Sequence, residues 1–83
     1  MQILYFAWVR ERIGKDSEAV SLPDAVETVA QLLDWLKDQS PGHAAALADN
    51  ARLRVAVDQR FAGLDEQVKG AGEIAIFPPV TGG

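Results

Sequence analysis

The sequence predicts an α+β fold in which a mixed β-sheet carries one main helix and a short second helix on one of its faces. Apolar residues alternate with period two near both ends of the chain, which indicates strands, and one central segment has the spacing of a helix. Strands that are split around one long helix are typical of a sheet with helices on one face. The apolar fraction of 48% and the charged fraction of 24% fit a folded protein, and 83 residues suffice for a single domain spanning residues 1–83.

The N-terminal segment is predicted to form a strand over residues 2–9, because its apolar side chains alternate between two faces. One face carries Ile3, Tyr5, Ala7 and Val9, and the other carries Leu4, Phe6 and Trp8. The polar run from Arg10 to Arg12, followed by Gly14, is expected to end this strand. Residues 18–22 are expected to return as a second strand, which gives an N-terminal hairpin.

Two helices are predicted in the middle of the chain. Thr28 and Gln31 have the spacing of a capping box, in which each side chain satisfies a backbone N–H group at the start of a helix. The apolar stripe that follows consists of Val29, Leu33 and Leu36. Ser40 and Pro41 end this helix and are suited to cap a second, short helix that runs through Leu47.

A further strand is predicted around Leu53, Val55 and Val57, which alternate with polar or small residues. The turn-prone Asp58 and Gln59 are expected to end it. After them the sequence predicts an irregular segment or a short strand.

The last strand is predicted at Glu73–Phe77, with Ile74 and Ile76 on one face and Ala75 and Phe77 on the other. The complete order of elements fits a ubiquitin-like β-grasp. In that fold the first and last strands lie side by side and parallel, because the crossover between them contains the helix.

The chain ends in an extended tail, residues 78–83, whose residue types have physical consequences. Pro78 and Pro79 remove backbone donors and stiffen the exit from the last strand. Gly82 and Gly83 lack Cβ atoms, so a narrow channel of another protein can close around them. The carboxylate of Gly83 is a competent nucleophile toward the α-phosphorus of ATP, and a sulfur donor can convert the resulting anhydride into a thiocarboxylate. Glycine-rich ends are also common as frayed termini, so the glycine pair alone indicates little.

Three phenylalanines are candidates for a partner-binding patch. If the strand parities are right, Phe6 and Phe77 lie on the sheet face opposite Ile74 and Ile76, and Phe61 is a further candidate. An exposed aromatic group on an uncovered face is typical of an interaction site. The alternative is that one or more of them belong to the core.

Several other residues are given structural interpretations. His43 is the only histidine and is expected to be a surface residue at the start of the second helix, not a metal ligand. Trp8 and Trp35 are interpreted as packing groups. Arg10, Arg12 and Lys15 are interpreted as ordinary surface charge, with docking of an acidic partner as the alternative.

Composition argues against some classes of partner. The net charge of -4 and the pI near 4.7 disfavour binding to nucleic acid, which normally requires a basic surface. The longest apolar stretch, residues 3–9, is far shorter than the roughly 20 residues that span a bilayer, so we expect no membrane partner and a cytoplasmic location. The absence of cysteine excludes disulfides and thiolate chemistry on this chain.

Both ends of the chain resemble a known family, the small subunit of molybdopterin synthase. The resemblance spans nearly the whole length and is most specific in residues 5–11 (YFAWVRE), which Gly14 follows, and in residues 77–83 (FPPVTGG). The segment Val57–Gln59 is also similar, with Asp58 at a position where the family is expected to carry asparagine. The resemblance implies a β-grasp fold.

It also implies a function. An E1-like adenylyltransferase would use ATP to adenylate Gly83, a sulfurtransferase would supply sulfur, and no cofactor would be bound stably by this chain. The tail, with Gly82 threading a channel, would then enter the large synthase subunit within a heterotetramer of two large and two small subunits. Two sulfurs would be delivered there to cyclic pyranopterin monophosphate, giving the dithiolene of molybdopterin. Catalytic side chains would belong to the large subunit, so this chain would not be catalytic alone. The residues expected to contact partners are Phe6, Phe61, Phe77, Pro78, Pro79, Val80 and Thr81.

Three alternatives share most of these features. A thiamine-pathway sulfur carrier also ends in Gly-Gly, but such carriers tend to be shorter and to lack the Phe-Pro-Pro ending. A ubiquitin-like protein modifier would form isopeptide bonds through Gly83. An interaction module with an inert tail would keep its function when Gly83 is deleted.

Overall fold

The computed structural model describes residues 1–79 and contains one mixed sheet of five strands with helices on one face. In chain order the elements are β1 (Gln2–Tyr5), α1 (Ala7–Ile13), β2 (Ser17–Ala19), α2 (Val29–Lys37), α3 (Pro41–Ala46), a 3₁₀ turn (Asn50–Arg52), β3 (Arg54–Val57), β4 (Arg60–Ala62) and β5 (Glu73–Phe77). The strand order is β2-β1-β5-β3-β4. No helix in residues 1–79 is long and apolar enough to cross a membrane.

The last strand lies at the centre of the sheet. It pairs in parallel with β1, with Tyr5 opposite Ile76, and antiparallel with β3, with Arg54 opposite Phe77. The outer strands β2 and β4 pair antiparallel with β1 and β3. This is the ubiquitin-like β-grasp, and the predicted parallel pairing of the first and last strands is confirmed.

The core lies between one face of the sheet and the helices. The predicted parity of β5 is confirmed, since Ile74 and Ile76 are fully buried while Ala75 and Phe77 are half-buried on the other face. The same core cluster contains, from the central strands and α2, Ile3, Tyr5, Val55, Val57, Val29, Leu32, Leu33 and Leu36. Fully burying a side chain of this size contributes about 1.5–3 kcal/mol, so this layer supplies most of the driving force for folding.

The predicted caps of α2 and α3 are both present. The hydroxyl of Thr28 accepts a hydrogen bond from the backbone N–H of Gln31 at 3.3 Å, and the Gln31 side chain accepts one from the N–H of Thr28 at 3.0 Å. The hydroxyl of Ser40 accepts from the N–H of His43 at 3.1 Å, and Pro41 takes the first position of α3.

The predicted strand over residues 2–9 is wrong beyond Tyr5. Residues Ala7–Ile13 form α1, which packs against α3 and buries Val9. The helix ends at Gly14, whose φ of 91° is left-handed and whose N–H donates to the carbonyl of Arg10 at 2.8 Å. The second strand is Ser17–Ala19, not residues 18–22. Its predicted return beside β1 is confirmed, because the two strands pair antiparallel, and α1 lies in the connection between them.

The turn after β3 fixes the start of the last strand. Asp58 and Gln59 have φ values of 48° and 71° and join β3 to β4 in a two-residue connection, as in a type I′ hairpin. The Asp58 carboxylate accepts hydrogen bonds from the backbone N–H groups of Gly72 at 2.9 Å and Glu73 at 3.0 Å. One turn residue therefore positions the β3–β4 connection and the beginning of β5 together.

Candidate functional site

The point where the tail leaves the sheet is held by strands on both sides. Phe77 is the last residue of β5 and lies opposite Arg54 of β3. On the other side the N–H of Phe6 donates to the carbonyl of Ile76 at 3.2 Å. Pro78 has no N–H to donate, so the ladder ends there. Because Ile74 and Ile76 are fully buried, the strand that precedes the tail is anchored in the core.

Four of the predicted site residues lie outside the described part of the chain. These are Val80, Thr81, Gly82 and Gly83. Pro78 and Pro79 are half-buried directly after β5. The roles assigned to the six tail residues stay predictions.

Phe61 and Phe77 lie next to each other on the sheet face that no helix covers. Their ring centroids are 5.9 Å apart with a tilt of 46° between the planes. Phe61 is 84% exposed and lies opposite Ala56, which in turn lies opposite Ala75. The small side chains in the middle of this face leave the rings standing above it.

Phe6 reaches the same end of the molecule by a different route. It follows β1 as the residue that caps α1, with an extended backbone, and it is 44% exposed. It lines a shallow depression together with Leu4 and Arg10. Phe6, Phe61 and Phe77, hereafter the aromatic patch, are thus accessible in the isolated chain, and their role in partner binding stays a prediction.

A buried polar cluster joins three elements behind the tail exit. The Glu18 carboxylate accepts a hydrogen bond from the Tyr5 hydroxyl at 2.6 Å, and the same oxygen lies 2.7 Å from Nε2 of His43. Nδ1 of His43 lies 2.7 Å from the hydroxyl of Ser40. Since the carboxylate can only accept, His43 donates from Nε2 and every polar atom of the cluster has a partner.

The expectation that His43 lies on the surface is therefore wrong, because it is 3% exposed. The sequence places His43 three residues after the helix cap Ser40, but the packing of α3 decides that its side chain points into the core. A usable signal was Tyr5, which shares a strand face with Ile3 and whose hydroxyl needs a partner when that face is buried.

The cluster perturbs two ionisable groups. Burial raises the pKa of Tyr5, and the hydrogen bond to Glu18 raises it further. For Glu18, burial alone would raise the pKa, but the hydrogen bonds from Tyr5 and His43 outweigh it and the pKa is lowered. Both effects favour an ionised Glu18 beside a neutral Tyr5 at neutral pH.

Trp8 packs beneath charged groups at the same end of the molecule. Its half-buried indole ring lies under the guanidinium carbons of Arg12 and Arg52, at 4.8 Å and 5.2 Å from the ring centroid.

Among residues 1–79 there is no group of three or more histidine, cysteine, aspartate or glutamate side chains that could hold a metal ion.

Comparison with known proteins gives a consistent result over the whole chain. A sequence model of the ThiS family matches residues 3–83. The molybdopterin synthase sulfur carrier subunit of Haemophilus influenzae is 40% identical over 83 residues, which cover 100% of this chain and 99% of that protein. The protein of the same name from Escherichia coli is 39% identical over 83 residues, with the same coverage.

A solved structure agrees with these relatives. The putative molybdopterin converting factor, subunit 1, from Pyrococcus furiosus superimposes with a TM-score of 0.76 at 28% identity, and the match covers 95% of each chain.

Proposed function

The chain belongs to the ThiS family, and we propose that it is the sulfur carrier subunit of molybdopterin synthase. The observation that carries the proposal is full-length similarity, at 40% and 39% identity, to two proteins of that name. The ending Phe77-Pro78-Pro79-Val80-Thr81-Gly82-Gly83 supports it, because a central strand runs directly into a stiff segment and then into two residues without side chains.

In the first proposed step the terminal carboxylate of Gly83 is activated. In an E1-like adenylyltransferase, a carboxylate oxygen attacks the α-phosphorus of ATP, forms the C–O–P bond of an acyl-adenylate and releases pyrophosphate. A thiol reductant releases hydrosulfide from the persulfide of a sulfurtransferase and is itself oxidised to a disulfide, and the hydrosulfide then attacks the acyl carbon and loses its proton. The bond to AMP breaks, AMP leaves with the electron pair, and the chain carries a thiocarboxylate. ATP is consumed by the partner enzyme and is not a cofactor of this chain.

In the second step the thiocarboxylate sulfur is the nucleophile. Inside the large subunit it attacks a side-chain carbon of cyclic pyranopterin monophosphate and displaces an oxygen substituent, which leaves with the electron pair of the broken C–O bond, so that a thioester joins the two molecules. Water then cleaves the bond between this sulfur and the acyl carbon of Gly83, which leaves the sulfur on the pterin and returns the carboxylate. Two such deliveries are needed for one dithiolene, so each carrier cycles between the adenylyltransferase and the large subunit. The proposed assembly is a heterotetramer of two large and two small subunits, and we propose that it works in the cytoplasm.

The described residues contribute the presentation of the tail. β5 is paired on both sides, so the position and direction of the chain at Phe77 are fixed before a partner binds. Preorganisation of this kind lowers the entropy that binding costs. The exposed ring of Phe61 lies beside Phe77 and supplies apolar area next to the point where the tail leaves the sheet. The entrance of the partner's channel would contact this area.

The proposal is tested by weighing the intact protein. The chain is incubated with the adenylyltransferase of its own organism, ATP and a sulfide source, and its mass is compared before and after. Exchange of one oxygen for one sulfur is expected, and the sample without ATP and a variant with an alanine added after Gly83 should keep their original masses. Loaded carrier mixed with the large subunit should then convert cyclic pyranopterin monophosphate to molybdopterin.

Other outcomes identify the alternatives. Covalent conjugates of higher mass, formed with other proteins through Gly83, would favour a protein modifier. A thiocarboxylate that the large subunit cannot use, but that a thiazole-forming enzyme can, would favour the thiamine pathway. An unchanged mass, under conditions that load the Escherichia coli protein, would overturn the proposal.

A further inference from the structure

Within residues 1–79, the lysines form ion pairs with carboxylates and the arginines do not. All three lysines, Lys15, Lys37 and Lys69, lie within 4.0 Å of a carboxylate, at 3.4, 3.4 and 3.8 Å. None of the five arginines forms such an ion pair within residues 1–79. In a chain with net charge -4, this leaves cationic groups without compensation where the arginines gather.

Three of these arginines lie at the end of the sheet from which the tail continues. Arg54 begins β3 and lies opposite Phe77, the last residue of β5. Arg52 ends the 3₁₀ turn two residues before Arg54, and its guanidinium shares the indole ring of Trp8 with Arg12 of α1. We call Trp8, Arg12, Arg52 and Arg54 the arginine cluster.

Contacts within the fold hold these groups without neutralising them. Nη1 of Arg54 donates to the carbonyl oxygens of Leu53 at 2.8 Å and Ala51 at 3.3 Å, which are uncharged acceptors. Asp49 lines the depression between Trp8 and Arg52, but its carboxylate accepts from the N–H of Ala51 at 3.0 Å and makes no ion pair in the described part of the chain.

The geometry suits carboxylates. A guanidinium presents several N–H donors in a plane and binds a carboxylate through two parallel hydrogen bonds, and an aromatic ring beneath it reduces the freedom that is lost on binding. Two guanidinium groups on one ring repel each other, and an incoming anion relieves that repulsion. One member of the cluster also adjoins the aromatic patch, because Arg54 lies directly opposite Phe77 on the neighbouring strand.

We propose that the arginine cluster is a docking surface for an acidic segment of the molybdopterin synthase large subunit, beside the channel that receives the tail. The identity of this partner rests on the proposed function. A nucleic acid fits less well, because its long run of phosphates would meet the acidic remainder of the chain. A protein segment needs only a few carboxylates at this one end.

The test is a binding titration between the full-length carrier and the large subunit at several salt concentrations. The variant Arg12→Glu with Arg52→Glu is compared with the control Arg60→Glu with Lys69→Glu. Both make the same change of net charge, but Arg60 and Lys69 lie at the opposite end of the sheet, at the β3–β4 turn and before β5. Circular dichroism and thermal unfolding check that each variant is folded. A milder pair, Arg12→Gln with Arg52→Gln, serves if the Glu pair does not fold.

The cluster variant is expected to weaken binding at least about tenfold and to flatten its salt dependence, while the control changes the dissociation constant by less than about threefold. Equal effects of the two variants, or undiminished binding by a folded cluster variant, would overturn the inference and leave the proposed function intact. Loss of binding to the adenylyltransferase with unchanged binding to the large subunit would also overturn it. If the unaltered carrier does not bind the large subunit, the proposed function itself fails.

Discussion

The substitution Glu18→Ala removes the shared acceptor of the buried polar cluster. It leaves the Tyr5 hydroxyl, on a residue that is 1% exposed, and the Nε2–H of His43, on a residue that is 3% exposed, without their partner. Each buried donor left unpaired costs about 1–3 kcal/mol. The Glu18 side chain is 18% exposed, so water can enter part of the space, and we expect a total loss of about 2–4 kcal/mol in the free energy of unfolding. That is a large share of the stability of a domain of this size.

The loss should depend on pH in a defined direction. The pKa of Glu18 is lowered in the folded state relative to its ordinary value of 4.5, through its hydrogen bonds from Tyr5 and His43, which prevail over the effect of burial. The unfolded chain therefore binds a proton at this position more readily than the folded chain. The contribution of the ionised carboxylate is complete above pH 4.5 and is lost as the pH falls through the lower folded value. The gap between the original protein and Glu18→Ala should narrow in acid.

Urea unfolding followed by circular dichroism, at about pH 7 and about pH 3, measures this gap. Glu11→Ala is the control, because Glu11 lies exposed on α1 and should change the free energy of unfolding by less than about 0.5 kcal/mol. A loss below about 1 kcal/mol for Glu18→Ala at neutral pH would refute the argument that the cluster is a strong hydrogen-bonded unit. A gap of the same size at both pH values would refute the linkage to Glu18 ionisation.

Two further substitutions test close backbone contacts by the same urea assay. Gly42→Ala places a Cβ 2.6 Å from the carbonyl oxygen of Arg12, where α3 passes α1, and should lower the free energy of unfolding by about 1–3 kcal/mol. Gly63→Ala, whose Cβ meets only an ordinary contact at 3.5 Å, is its control and should cost less than about 1 kcal/mol; equal losses would contradict the steric argument. Asp58→Ala removes the acceptor for two backbone N–H groups and places alanine at a φ of 48°, so a loss of about 1–3 kcal/mol is expected. Asp58→Asn keeps an acceptor and tolerates this conformation, and a loss as large as that of the alanine variant would show that the turn does not depend on the side-chain oxygen.

Local signals were enough to predict much of the fold. The capping box at Thr28 and Gln31 and the Ser40-Pro41 pair depend on neighbours in sequence, and both caps form as predicted. The bounds of β5 were also predicted correctly, because strict alternation between Glu73 and a proline leaves little choice of conformation.

The first turn of α1 was not predictable from alternation. Ala7, Trp8 and Val9 are apolar on every face, so they fit a two-sided strand as well as a helix. Gly14 was ambiguous, because it could be interpreted as a strand breaker or as a left-handed C-cap. Packing of α1 against α3 decides between the two, and this contact joins segments about 30 residues apart.

Some features of the candidate site also follow from local sequence, and others depend on contacts between distant segments. The tail exit and the outward direction of Phe77 follow from strand parity, which is a local property. The interaction of Glu18 with His43 spans 25 residues, and the shared ring of Trp8 joins α1 to the segment before β3. Neither could be predicted without the topology that brings these segments together.

Because β5 lies in the centre of the sheet, the position of the tail exit depends on both ends of the chain being folded. The strand that carries the tail is the last one in sequence, yet it lies in the centre of the sheet between β1 and β3. Its parallel pairing with β1 joins Gln2 to Glu73, so it can form only after nearly the whole chain has been ordered. A carrier that is partly unfolded at its N-terminus therefore loses one of the two strands that fix the tail exit. For this reason the Glu18 cluster, which holds β1, β2 and α3 together far from Gly83 in sequence, bears directly on how the tail is presented.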